Sequence, residues 1–233
     1  MPEPQRQRAD RILDTAKDLL LRWGYRRIRI DEIAKRSGIG KGTVYLHWRT
    51  REEMLAAVGS RETAEMMDVV IDAMRADPAQ VMPHRLMRQI FIEAMGRPVL
   101  RAIYTQDIET IDALVGDRSQ KAMEGANFVG WSEYLEIAHE HGLLHRDLRP
   151  QDVHYPLTST VFGFFAAEPL LPAELDLSLQ EKADHLAATL RRAFEPSRPP
   201  PRKQVEAAAG MVIALYERLA EDFRAFAYGG GNE

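Results

Sequence analysis

The residues best suited to chemistry in this 233-residue chain form the run Lys41-Gly42-Thr43-Val44-Tyr45-Leu46-His47-Trp48, which follows Gly38-Ile39-Gly40. If the run is a short helix with Val44 and Trp48 turned inward, its opposite face presents Lys41, Gly42, Thr43, Tyr45, Leu46 and His47. That face suits the major groove of duplex DNA. Lys41 can donate to guanine O6 or N7, Gly42 lets the backbone approach base edges, and the Thr43 methyl can touch a thymine methyl. The Tyr45 hydroxyl, His47 and Arg51 are expected on phosphates, contacts that position the protein without reading sequence. Arg51 adds its charge to the positive end of the helix that starts there.

Such a face needs a rigid mount, and the residues before it supply one. Two short helices that cross closely need a small residue on the first, a Gly where the turn takes positive φ, and apolar residues that lock the second. Ala34, Gly38 four residues later, Ile39 and Val44 meet these demands, so Ile33 to Trp48 reads as a helix-turn-helix. Upstream, Ile12, Ala16, Leu19, Leu20 and Trp23 share one face of a helix over about 5–23, closed by Gly24. Arg6, Arg8 and Arg11 on it are either a flexible basic arm or a solvated helix face. Downstream, Thr50-Arg51-Glu52-Glu53 has capping-box spacing and opens a long helix that runs to Asp77-Pro78.

Beyond it, apolar residues keep recurring at three and four, and β-branched residues never alternate with polar ones. Helices are predicted at about 83–96, 98–105, 107–115, 119–141, 150–168 and 178–195, punctuated by Pro98, Gly116, Gly142, Pro150, Pro169 and Pro172. Ser178-Leu179-Gln180-Glu181 is a second capping box. The run Pro196-Ser197-Arg198-Pro199-Pro200-Pro201 reads as a stiff extended linker, followed by an amphipathic helix at about 203–227 and a fraying Gly-rich tail.

Charge is divided in the same way. Residues 1–60 carry 13 Lys and Arg against 8 Asp and Glu, a balance of +5, and the remainder carries 18 against 27, a balance of −9. A basic end can meet phosphate while an acidic body stays off non-specific polyanions. With no Cys in the chain, disulfides, thiolate metal sites and cysteine nucleophiles are excluded. No apolar run is long enough for a membrane span or a signal peptide, so a cytoplasmic location is expected.

Gly24-Tyr25, Ile33-Ala34, Gly38 through Trp48 and Arg51-Glu52-Glu53-Met54-Leu55 together resemble the DNA-binding domain of the TetR family of bacterial transcriptional repressors, over about residues 8–58. The resemblance implies base or phosphate contacts at Lys41, Gly42, Thr43, Tyr45 and His47, and a phosphate contact at Arg51. It also implies a homodimer, a carboxy-terminal ligand pocket and release of operator DNA when ligand binds. Three positions depart from the family pattern. Gly40 replaces a capping Ser; Ile28-Arg29-Ile30 stand where a Thr or Ser opens the first motif helix, with Arg29 a candidate phosphate contact; and Trp48 replaces a Phe.

The expected architecture is all-α: a helix-turn-helix DNA-binding domain of three helices (1–50), joined by a long helix to a larger helical ligand-binding and dimerisation domain (51–196), then the Pro-rich linker and last helix (197–233). Candidate effector contacts are Phe91, Met95, Tyr104, Met123, Asn127, Phe128, Trp131 and Phe162, an aromatic and Met set suited to a small lipophilic molecule. The helices near 150–168 and 178–195 are the expected dimer surface. The alternative is an effector-independent DNA-binding protein whose acidic body docks a protein partner.

Two decoys are set aside. His145-Arg146-Asp147-Leu148 resembles a kinase catalytic loop, but Asp152 occupies the place of the required Asn and the other kinase motifs are missing. His139, His141 and His145 lie across Gly142, which breaks helical registry for a metal. No cofactor is expected, and an enzyme is not.

Overall fold

The computed structural model describes residues 3–24, 27–105, 130–172, 175 and 177–229. Among these there are helices and no strand. In chain order they are α1 (Glu3–Trp23), α2 (Ile30–Ser37), α3 (Lys41–His47), α4 (Arg51–Ala76), α5 (Pro83–Gly96), α6 (Pro98–Tyr104), α7 (130–140), α8 (Pro150–Ala167), α9 (Leu179–Phe194) and α10 (Arg202–Ala227). Short 3-10 turns at Pro78–Val81 and Glu168–Leu170 were not anticipated. The expected helix at 107–115 and the first part of that at 119–141 lie outside the described residues.

The chain divides into two compact units. The first takes in the chain up to Glu65, the stretch that begins at Pro98 and the chain end from Ala220; the second takes in Met66–Arg97 and the later chain up to Leu219.

In the first unit, α1 buries Ile12, Leu13, Ala16 and Leu19 against Ile33 and Ala34 of α2, Val44 and Trp48 at α3, and Met54, Leu55 and Val58 of α4. Trp23, expected on the same face, is part-exposed, and its ring is covered by the Arg36 guanidinium at 4.6 Å. The turn between α2 and α3 is closed as the sequence required. Gly38 sits at φ +68, and the Ile39 N–H donates to the Ala34 carbonyl at 3.0 Å. That bond satisfies a terminal helix carbonyl and sets the angle at which α3 leaves. At the start of α4 the Thr50 Oγ1 accepts from the Glu53 N–H at 3.0 Å, while the Glu53 carboxylate accepts from the Arg49 N–H at 2.7 Å, one residue earlier than a standard box.

In the second unit, α5 packs most closely on α9, whose Leu186, Leu190 and Phe194 are buried. Phe91 meets Phe165 of α8 with ring centroids 4.8 Å apart. The capping box at Ser178 forms in full. Gly142, at φ +70, closes α7, and the His145 N–H donates to the Phe194 carbonyl at 2.9 Å. The residues of the kinase-like run thus form a helix connection, with Pro150 opening α8. Polar groups tie the interior together: Glu195 is buried and accepts from the His84 backbone N–H at 2.7 Å, with the His84 ring Nδ1 2.7 Å from its other oxygen. The Tyr134 hydroxyl donates to the Val81 carbonyl at 3.0 Å. Burial pushes that phenol well above the usual tyrosine range.

Candidate nucleic-acid interface

The reading face expected on α3 forms, with one exception. Val44 and Trp48 are buried, so one side of this seven-residue helix is anchored. Tyr45 (43% exposed) and Leu46 (82% exposed) point away from the core, and Lys41 and Gly42 are exposed beside them, with Thr43 part-exposed. Nothing lies within 4 Å of where a Gly42 side chain would begin, so the backbone there can be approached closely. His47 is the exception. Expected on the exposed face, it is only 9% exposed, because a residue three beyond Val44 falls on the same side of a 3.6-residue helix. Burial, and the nearby Arg8 charge, lower its pKa.

The cations around α3 are not idle. The Lys41 ammonium pairs with Asp31 of α2 at 2.6 Å, a hydrogen bond that raises its pKa and keeps it charged. Both partners are more than half exposed, so the pair is weak and exchangeable. Arg51 donates to the Glu52 carboxylate at 2.9 Å and to the Ile28 carbonyl at 3.3 Å, which fastens the start of α4 to the chain entering α2. Arg29 is exposed at the N-cap of α2 and gives that helix no side-chain cap. Gly40 likewise offers α3 no side-chain acceptor. Arg6, Arg8 and Arg11 lie within α1, so they are a solvated helix face and not an arm. Asp31 was not singled out by the sequence reading. Its spacing from Lys41 carries no local signal, and only the crossing of α2 and α3 brings the two together.

The candidate effector contacts are more scattered. Phe91 and Met95 are buried on α5, Trp131 packs edge-on against Tyr134 with centroids 5.8 Å apart, and Tyr104 belongs to the first unit. Phe162, expected in a pocket, is instead 45% exposed on α8, because the buried stripe of that helix is Val153, Leu157, Val161 and Phe165 at a spacing of four. Met123, Asn127 and Phe128 lie outside the described residues. Phe91 does line a cavity of about 420 Å³ in the second unit, bounded by Thr160 and Phe164 of α8 and Lys182 and His185 of α9. Among the described residues no cluster of His, Asp or Glu has the form of a metal site, and no helix is long and apolar enough to cross a membrane.

Comparison with known proteins agrees with this geometry. Residues 12–58 match the family model described as bacterial regulatory proteins, tetR family. A fatty acid metabolism regulator protein of Bacillus subtilis (strain 168) is 26% identical over 57 residues, which are 24% of this chain and 29% of that protein's length. Among solved structures, the fatty acid degradation regulator FadR from Bacillus halodurans superposes with a TM-score of 0.57 at 19% identity, covering 82% of this chain and 96% of that one. SmeT in its triclosan complex gives 0.56 at 20% identity, covering 83% and 95%. These two likenesses establish the fold. With the motif of α2 and α3 intact, residues 12–58 are similar to bacterial regulatory proteins of the tetR family, and the chain as a whole shares the fold of the two solved regulators.

Proposed function

We propose that this protein is a homodimeric, sequence-specific DNA-binding transcriptional repressor that leaves a palindromic operator when a small lipophilic effector binds. The observation that carries this reading is α3, with Val44 and Trp48 locked in the core while Lys41, Gly42, Tyr45 and Leu46 stand on the free side. Lys41, Gly42 and Thr43 read base edges, Tyr45 donates to phosphate, and Arg29 and Arg51 lie at the flanks as further phosphate contacts. His47, being buried, backs the reading face.

Dimerisation is supported by the outer side of α8, where Tyr155 (80% exposed) and Phe162 stand seven residues apart on one face. Two symmetric copies present two copies of α3 to half-sites about one helical turn, or a multiple of it, apart. Effector control is supported by the cavity at Phe91, whose size falls in the range of small-molecule pockets. An effector releases DNA only if it binds better to the form that does not fit the operator; equal affinity for both forms shifts nothing.

The test is selection of duplexes from a random library by the full chain. A palindromic enriched site, bound by a species of twice the chain mass in sedimentation, is the expected result; enrichment of nothing overturns the reading. Tyr45→Ala weakens binding to the enriched duplex with a smaller change in salt slope than Arg51→Ala, because only the second removes a cation. Absence of a thermal shift with any member of a lipophile panel overturns the effector part alone.

A further inference from the structure

The last turn of α10 makes bonds that belong to the DNA-reading unit. We propose that Ala227, Tyr228 and Gly229 form a clasp that holds the carboxy-terminal end of α3 in its reading pose, with Trp48 and Tyr228 as positioning residues. This inference rests on α3 being the DNA-reading helix.

Four observations converge on it. Trp48, 1% exposed, donates its indole N–H to the Ala227 carbonyl at 3.2 Å. A Phe would fill the same space with no donor; a Trp left without that acceptor would bury an unsatisfied N–H. The Tyr228 hydroxyl donates to Asp10 Oδ1 of α1 at 2.6 Å, and its ring packs against the core of the first unit under the Arg6 guanidinium, 5.1 Å from the ring centroid. Asp10 also lies 3.7 Å from Arg61 of α4, which is bonded to Asp14 at 2.6 Å, so the chain end is knitted to both α1 and α4. Finally, Gly229 takes φ +82, and a side chain there would begin 3.1 Å from the His47 carbonyl. A glycine is what lets the clasp close on the last residue of α3.

The need for a clasp follows from the helix itself. With seven residues, α3 is too short to be stable alone. Its Gly40 N-cap supplies no side-chain bond, so its orientation depends on what grips its other end. The clasp touches that end twice, through the Trp48 side chain and the His47 backbone. If the grip is lost, α3 pivots about Val44 and displaces Lys41 and Thr43 at the far end.

The experiment uses the full chain and four variants: Tyr228→Ala, Tyr228→Phe, Trp48→Phe and Gly229→Val. Amide exchange across α3 is followed without DNA, and affinity is measured for a duplex selected by the wild type and for a scrambled duplex of equal length. Tyr228→Ala and Gly229→Val are expected to accelerate exchange at Val44 to Trp48 about tenfold and to weaken selected-duplex binding about tenfold, the scale of one lost hydrogen bond, with scrambled-duplex binding unchanged. Trp48→Phe does the same to a lesser degree, and Tyr228→Phe, which keeps the ring, restores part of the loss. Unchanged α3 exchange in all variants overturns the clasp. Equal loss on both duplexes overturns the positioning role, because it means fewer folded heads and not a misplaced helix. If Tyr228→Ala does not fold, Trp48→Phe decides by the same two readouts. If the wild type selects no duplex, the DNA-reading assignment falls and takes the positioning role with it, while the exchange arm still decides whether the chain end orders α3.

Discussion

The two units of the molecule differ in what their surfaces expose. In the first, the solvent-facing side of α3 presents Lys41, Gly42, Tyr45 and Leu46, and Lys41 and Asp31 are held to each other only by an exposed ion pair. In the second, the outer side of α8 and the turn after it expose Tyr155, Phe162 and Leu170, while His84 with Glu195 and Tyr134 with Val81 cross-link the interior. A surface of weakly held cations exchanges its partners for phosphate at little cost, whereas exposed aromatic area gains by meeting another protein surface. On the proposed function, the contrast separates a face suited to a nucleic acid from one suited to a second polypeptide.

Substitutions break or sharpen that contrast. The largest effect is expected from Phe165→Ala in the second unit, where loss of a ring packed on Phe91 costs about 3–5 kcal/mol in urea unfolding. Intact duplex affinity per folded molecule would accompany that loss; a parallel fall in affinity would break the separation of roles. Glu195→Ala leaves the His84 N–H without its acceptor and should cost about 1–3 kcal/mol in the same measurement.

A smaller effect, confined to the first unit, comes from pH. An unfolded imidazole titrates near 6.5, and buried His47 titrates lower, so below that pH the unfolded chain binds the extra proton. The contribution of His47 to stability is therefore complete above about pH 6.5 and is lost as pH falls from there through the folded value. His47→Gln should flatten that dependence in thermal melts followed by Trp fluorescence; an unchanged slope would assign it to another group.

The smallest change in stability is expected for Asp31→Asn. It frees Lys41 and removes a negative charge beside the reading face at a cost of at most about 1 kcal/mol. Affinity for a selected duplex should rise a few-fold with a steeper salt dependence. Unaltered affinity would mean that Lys41 already leaves Asp31 without penalty.

Much of the first unit was legible because its constraints are local. A positive-φ glycine, a small residue at a helix crossing and two inward apolar residues are fixed by spacing alone, and Gly38, Ala34, Val44 and Trp48 stand as their types require. The exposed side of α3 was legible except at His47, where a polar residue type outweighed its helical register. The second unit was legible in its helices and caps, Ser178 and Gly142 among them, but Phe162 went to the wrong side, because an apolar residue on an amphipathic helix does not reveal which of two apolar surfaces it serves.

The sequence alone determined where most of the described helices start and stop, which turn joins α2 to α3, and which residues of α3 stand exposed apart from His47, since each depends on neighbours a few positions away. Tertiary structure alone decided the pairing of Lys41 with Asp31, the fastening of Arg51 to Ile28 and the closing of Tyr228 and Ala227 onto Asp10 and Trp48. The last of these joins residues 179 and 218 positions apart. No periodicity carries information over such separations; only the packing of helices brings those donors to their acceptors.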